Sequence, residues 1–156
     1  MAHPNDELIQ RLYAAFAGRD GEAMAACYAP NARFSDPVFT DLRDDEPGSM
    51  WRMLTGRARD LEVGLAEHEA DDRRGSAHWL ADYTFSTGRR VHNDIRAEFR
   101  FEEGLIAEHR DSFSFYAWAR QALGPVGLAL GWTPIVRARV RREARAGLDE
   151  FRAGAS

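Results

Sequence analysis

Trp79-Leu80-Ala81-Asp82-Tyr83-Thr84-Phe85 and Val91-His92-Asn93-Asp94-Ile95-Arg96-Ala97-Glu98-Phe99-Arg100-Phe101 lie on either side of Thr87-Gly88, and how they pair decides the fold. In the second run Val91, Ile95, Ala97, Phe99 and Phe101 alternate with His92, Asp94, Arg96, Glu98 and Arg100. That period of two belongs to a half-buried strand and not to a helix, and it carries Asn93 to the apolar side. The glycine between the runs marks a tight turn, so the two form an antiparallel hairpin. A two-residue Thr87-Gly88 loop sets Ser86 opposite Arg89, Thr84 opposite Val91, Asp82 opposite Asn93 and Leu80 opposite Ile95. In that register Leu80 and Asp82 join the buried face, and Trp79, Tyr83 and Phe85 take the other.

Outward from this hairpin the same period predicts strands over about 60–70, 76–86, 91–101 and 105–116. Asp72 to Gly75, Thr87-Gly88 and Glu103-Gly104 join them into an antiparallel meander. Upstream, Leu8, Ile9, Leu12, Tyr13 and Phe16 fall at helical spacing after the capping residues Asn5 and Asp6. Gly18 ends that helix, Asp20 caps a short second one that Pro30 stops, residues 32–40 read as a bent strand, and 46–54 as a helix. Downstream, the Gly-rich stretch from Gly124 to Trp132 connects to Thr133-Pro134, an N-cap and N1 proline for a helix reaching about Phe151. Helices and sheet are segregated, which makes the class α+β. The expected architecture is one domain over 1–156, with 133–152 as a C-terminal helical extension. A strongly curved antiparallel sheet wraps the N-terminal helices and leaves a cone-shaped hollow.

Composition agrees with a single folded domain. The chain has 156 residues, 44% of them hydrophobic, and a formal net charge of −4. No apolar run approaches the length of a membrane span, and the N-terminus is polar and acidic, so a cytoplasmic protein with no membrane partner is expected. All basic residues are arginines, but the acidic balance argues against nucleic acid. Cys27 is alone among small apolar neighbours and reads as a core residue. The charge is uneven: residues 133–156 hold six Arg against three acids, net +3, in a chain that is acidic overall. A packed face plus a solvated face explains such a helix.

Three sets of residues carry a resemblance. They are Ile9-Gln10-Arg11 through Phe34-Ser35-Asp36-Pro37-Val38, then Thr87-Gly88-Arg89, and then Phe99 to Ile106 followed by His109-Arg110-Asp111. Over about 6–123 the chain resembles the nuclear transport factor 2-like superfamily, and within it the SnoaL-like polyketide cyclases, ketosteroid isomerases and limonene epoxide hydrolases. The resemblance implies the cone fold and a convex sheet face that makes a dimer. Asp36 lines up with the proton-shuttling base of the ketosteroid isomerases, whereas Leu12 and Ala97 occupy the places of their two oxyanion donors, with Tyr13 one step round the helix. Asp111 lies where the cyclases and epoxide hydrolases carry a catalytic aspartate. Asp82 aligns with the second aspartate of the epoxide hydrolases, and Leu80 with their bridging arginine.

Alternation places His109 and Asp111 on the apolar side of the last strand, with Leu105, Ala107, Phe113 and Phe115. The expected hollow therefore gathers Asp36, Asp82, His109 and Asp111 as acid–base groups. Asn93, Leu12, Tyr13, Leu80, Ile95 and Phe113 make the substrate wall. A carboxylate on an apolar face costs several kcal/mol unless paired or neutralised, and paired carboxylates near an imidazole have their pKa values driven apart. The expectation is an enzyme using neither cofactor nor metal, doing isomerase, cyclase or hydrolase chemistry on a small hydrophobic molecule that bears oxygen. The alternative is a dimeric binding protein that only holds such a ligand. Trp79, Tyr83 and Phe85, too aromatic to leave in water, are expected to bury against a second copy of the chain.

Overall fold

The computed structural model describes residues 2–154, so residues 1 and 155–156 of the expected 1–156 domain lie outside the described part. Helix α1 (Pro4–Ala17) starts on an N-cap by His3, whose ring accepts from the Asn5 amide, and α2 (Gly21–Ala25) starts on Asp20, which accepts from the Ala23 amide. Strand β1 (Tyr28–Ser35), the two-residue β2 (Leu42–Arg43) and helix α3 (Glu46–Arg57) follow. The long strands are β3 (Glu62–Ala70), β4 (Arg74–Thr84), β5 (Arg90–Glu102) and β6 (Leu105–Ser112). Helices α4 (Phe115–Leu123), α5 (Pro125–Leu130) and α6 (Pro134–Gly154) close the chain.

The six strands form one curved, unclosed sheet in the order β2-β1-β6-β5-β4-β3. The meander β3 to β6 is antiparallel as expected, but β1 lies parallel to β6. Strand β1 also starts earlier than the sequence suggested. Pro30 sits within it, exposed, where the β1–β6 register shifts between Tyr28 and Arg33, so its missing N–H costs the ladder nothing. The predicted strand over 105–116 stops at Ser112. The hydroxyl of Ser114 accepts from the Ala117 amide and caps α4 instead, leaving Phe113 half-buried between the two elements.

The largest correction concerns the β4–β5 register. Thr84 pairs with Arg90, Asp82 with His92, Ala81 with Asn93 and Trp79 with Ile95. The Phe85 amide donates to the Arg89 carbonyl, so the loop is Ser86-Thr87-Gly88, three residues closed by Gly88 at φ +85. By contrast Glu103-Gly104 is a true two-residue turn, both residues at positive φ. One extra loop residue slips the register by one, and a slip of one exchanges the faces. Trp79, Ala81 and Tyr83 therefore face inward with Val91, Asn93 and Ile95, while Leu80 and Asp82 face outward with His92 and Asp94.

The main core sits between the inner sheet face and α1 and α3, built on Leu8, Ile9, Leu12, Tyr13, Phe16, Met50, Trp51, Trp79, Ile95 and Phe99. A second cluster joins α4 to the sheet through Val91, Phe115 and Trp118, with Tyr83, Phe85 and Val140 against it. Helix α6 crosses from this cluster to the start of α3. The Arg141 Nε–H donates to the Pro37 carbonyl at 3.0 Å, Arg145 pairs with Glu46, and Arg152 pairs with Asp45 at 2.7 Å.

Candidate functional site

On the inner face of β6, His109 and Asp111 sit two residues apart, opposite Phe99 and Ala97 of β5. Their side chains are 0% and 2% exposed, and Nε2 of His109 lies 2.8 Å from Oδ1 of Asp111. On the other side of the ring, Nδ1 of His109 is 2.8 Å from the Tyr28 hydroxyl, which accepts from the indole N–H of Trp51 at 2.8 Å. The Trp79 indole N–H donates to the same Asp111 oxygen at 3.3 Å. An indole can only donate, and with a neutral imidazole between the Tyr28 hydroxyl and an accepting carboxylate the donors run in one direction. Trp51 donates to Tyr28, Tyr28 to His109, and the Nε2–H tautomer of His109 to Asp111. Phe34 meets the His109 ring edge-on at 4.9 Å and Phe99 lies against it at 4.4 Å, which fixes the ring plane.

Asp36 follows β1 in a tight turn, where its Oδ1 accepts from the Val38 and Phe39 amides at 2.7 and 2.6 Å. Two donors would ordinarily hold a carboxyl low. Burial, and after it the negative charge of Asp111, outweigh them and push Asp36 up to about 7. Burial, with a smaller contribution from the Asp36 charge, pushes the Tyr83 hydroxyl up to about 12, although that oxygen accepts from the Trp118 indole at 2.9 Å. Tyr13 of α1 is 3% exposed, and its hydroxyl is buried without a partner among the described residues. Burial first, then the Asp111 charge, raises it well above the ordinary phenol value. Tyr13 is thus a neutral donor with an unused hydrogen bond, within reach of the field of Asp111. An unsatisfied buried hydroxyl costs about 1–3 kcal/mol, and an oxygen atom of a ligand would relieve that cost.

The structure thus buries His109, Asp111 and Tyr13, together with Leu12, Ile95 and Asn93, and sets the half-buried Asp36 within the field of Asp111. It does not bring Asp82 or Leu80 to the interior. Asp82 pairs across strands with His92 Nδ1 at 2.8 Å on the outer face, because the three-residue loop reverses its side. The same slip removes Trp79, Tyr83 and Phe85 from the outer face, where the contact with a second copy was expected. Trp79 binds Asp111, Tyr83 accepts from Trp118, and Phe85 packs edge-on against Trp118 at 5.1 Å. In their place the outer sheet face carries Arg90, His92, Asp94, Arg96, Glu98 and Arg100.

Tyr28 and Trp51 have no signal as site residues in the sequence, and Tyr83 is expected there only on the outer sheet face. Tyr28 reads as the apolar end of α2 until β1 is seen to begin there. The inward placement of Tyr83 was legible in β4 alone, whose Trp79-Ala81-Tyr83-Phe85 alternation is its apolar side. Among the described residues no group of three or more His, Cys, Asp and Glu is arranged to grip a metal ion.

A family model described as a SnoaL-like domain matches residues 9–109. No curated protein matches the sequence. Among solved structures, an NTF2-like protein of unknown function from Burkholderia pseudomallei superposes with a TM-score of 0.67 at 18% identity, covering 77% of this chain and 98% of that one. An LEH-like epoxide hydrolase from M. tuberculosis gives 0.66 at 19% identity, covering 81% and 96%. A protein of Jannaschia named for the SnoaL-like polyketide cyclases gives 0.67 at 16% identity, covering 78% and 93%. At such identities the likeness is one of fold.

Proposed function

The chain belongs to the SnoaL-like domain family, and from that premise we propose that it is a cofactor-independent acid–base enzyme acting on a small hydrophobic molecule with a polarised oxygen. The observation that carries this reading is that the half-buried Asp36 lies within the field of a second, buried carboxyl group, Asp111. Asp36 is pushed up to about 7 while Asp111 sits at the end of the Trp51-Tyr28-His109 chain. A group with a pKa near the working pH exists in both protonation states, which suits it to take up and return a proton. General acid–base catalysis of that kind contributes roughly 10²–10⁴ in rate.

In this reading Asp36 and Asp111 are the two catalytic carboxyl groups. His109 is a positioning residue that fixes Asp111, and Tyr28 in turn holds the His109 tautomer. The unused Tyr13 hydroxyl meets the substrate oxygen and stabilises the charge that gathers there, the role in which one donor is worth roughly 10²–10³. Leu12, Ile95, Phe113 and Asn93 supply the wall. Proton transfer of this kind serves isomerisation or aldol-type cyclisation, with Asp36 taking a proton beside a carbonyl and Tyr13 holding the oxygen.

The test is turnover and binding measured together on panels of carbonyl and epoxide compounds. Wild-type protein is expected to turn over a member that Asp111→Asn binds equally well but leaves unchanged. Equal turnover by Asp111→Asn removes the proposal. Binding by wild type with no turnover across both panels assigns the chain to the ligand-holding alternative instead.

A further inference from the structure

Five large apolar side chains within ten residues stand in solvent. Val126, Leu128 and Leu130 of α5, Trp132 in the following turn and Ile135 at the start of α6 are 55%, 58%, 49%, 69% and 79% exposed. The way α5 is attached explains why. A Cβ on Gly127 would lie 1.9 Å from the Ala119 carbonyl oxygen of α4, and one on Gly131 would lie 3.0 Å from the Ala119 Cβ. Helix α5 thus rests on α4 through bare glycine backbone, held further by the Tyr116 hydroxyl donating to the Leu128 carbonyl at 2.9 Å. Its contact side has no side chains, and its large ones are left to solvent. A helix folding onto its own core is arranged the other way round.

The same region has an unusual charge. From Ser112 to Arg142 there is no Asp or Glu, while Arg120, Arg137, Arg139, Arg141 and Arg142 all fall within it. Arg141 is committed to the Pro37 carbonyl and Arg137 stacks over the Phe115 ring at 5.2 Å, but Arg120, Arg139 and Arg142 are exposed. Among the described residues, the only acidic partner of these three is Glu143, on Arg139 at 3.2 Å. This stretch is a positive, apolar surface on a chain whose net charge is −4.

We propose that α5 and the start of α6 dock the protein on an anionic lipid surface. Val126, Leu128, Leu130, Trp132 and Ile135 enter the boundary between headgroups and acyl chains, and the arginines sit at headgroup level. Charge decides between this and a second copy of the chain. A two-fold contact sets the acid-free segment against itself, arginine facing arginine, whereas an anionic bilayer supplies the missing negative charge. In the sequence Gly124 to Trp132 reads as a connection, and nothing local to it shows that its apolar residues remain uncovered. The proposal is independent of the catalytic reading, since none of these residues belongs to the interior site.

The full chain floated with vesicles tests it, comparing pure phosphatidylcholine with phosphatidylcholine containing phosphatidylglycerol. The protein is expected to float with the anionic vesicles only and to be released by salt. The double variant Trp132→Ser/Ile135→Ser is expected to lose at least about tenfold in partition. Arg139→Gln/Arg142→Gln is expected to lose roughly tenfold. All four side chains are exposed, so both variants fold, which far-ultraviolet circular dichroism checks. Failure to float with anionic vesicles at low salt overturns the proposal, as does floating that neither variant weakens. A dimer in sedimentation analysis that Trp132→Ser dissociates, without vesicle binding, gives the surface to a second copy and overturns it too.

Discussion

Of the five histidine–aspartate pairs among the described residues, the three on β4 to β6 have nearly the same length but lie on opposite faces of the sheet. On the outer sheet face His78–Asp94 and His92–Asp82 lie at 2.7 and 2.8 Å, with side chains 19%/59% and 59%/38% exposed. Inside, His109–Asp111 lies at 2.8 Å with both side chains shut from water. Distance alone does not rank them. In water each outer pair exchanges solvent contacts for a partner at almost no net gain, and salt screens what remains. In the interior no solvent replaces a lost partner, so each member of the Trp51-Tyr28-His109-Asp111 chain depends on the next. The same low dielectric lets Asp111 act on Asp36 and Tyr13.

Substitutions break this comparison at its two ends. The largest expected effect is Asp111→Asn, which lowers turnover by roughly 10²–10⁴. Asp82→Asn on the outer face leaves it unchanged, and an equal loss in both would erase the distinction between the regions. Next is stability: His109→Ala leaves a buried carboxylate without its main donor and costs about 3–5 kcal/mol by denaturant unfolding. Tyr28→Phe, which strands both the Trp51 indole and His109 Nδ1, costs about 1–3 kcal/mol. At the small end, His92→Ala changes stability by no more than about 0.5 kcal/mol.

Asp36 sharpens the comparison through pH. Its folded value, about 7, lies above that of an unfolded aspartate, about 3.9. The native chain therefore binds more protons than the unfolded one between those values. The stability Asp36 contributes is full below about 4 and lost as pH rises through about 7. Asp36→Asn keeps an acceptor for the Val38 and Phe39 amides but cannot ionise. Its melting temperature relative to wild type is expected to rise from pH 5 to pH 8. A difference that stays flat across that range would show that Asp36 ionises without penalty.

Much of the fold was legible because its signals are local. The Asp20 cap, the Glu103-Gly104 turn and the alternation in β5 each depend on a few neighbouring residues, and the structure has all three. The position of β1 beside β6 and the helices α4 and α5 were not, since a parallel neighbour and a glycine-bonded helix leave little periodicity behind. Half of the site followed from period two in β6, which put His109 and Asp111 on one side. At Asp82 the two sequence signals conflict: a two-residue loop puts it inward, the apolar alternation of β4 puts it outward, and the structure follows the alternation. Ser86-Thr87-Gly88 and Thr87-Gly88 look alike in sequence, and only the position of the positive-φ glycine against its partner strand separates them. Tyr28 and Trp51 reach His109 from 81 residues away and from another helix, a convergence no local pattern carries.

The central claim is that burial, and after it the negative charge of Asp111, lifts Asp36 into the range of proton exchange, and the titration of the Asp36 side-chain carboxyl by carbon-13 NMR tests it most directly. The account predicts a midpoint near 7 in the wild-type chain and a clear fall in Asp111→Asn, where the repelling charge is gone. A midpoint near the ordinary aspartate value of about 3.9 in both proteins would contradict it.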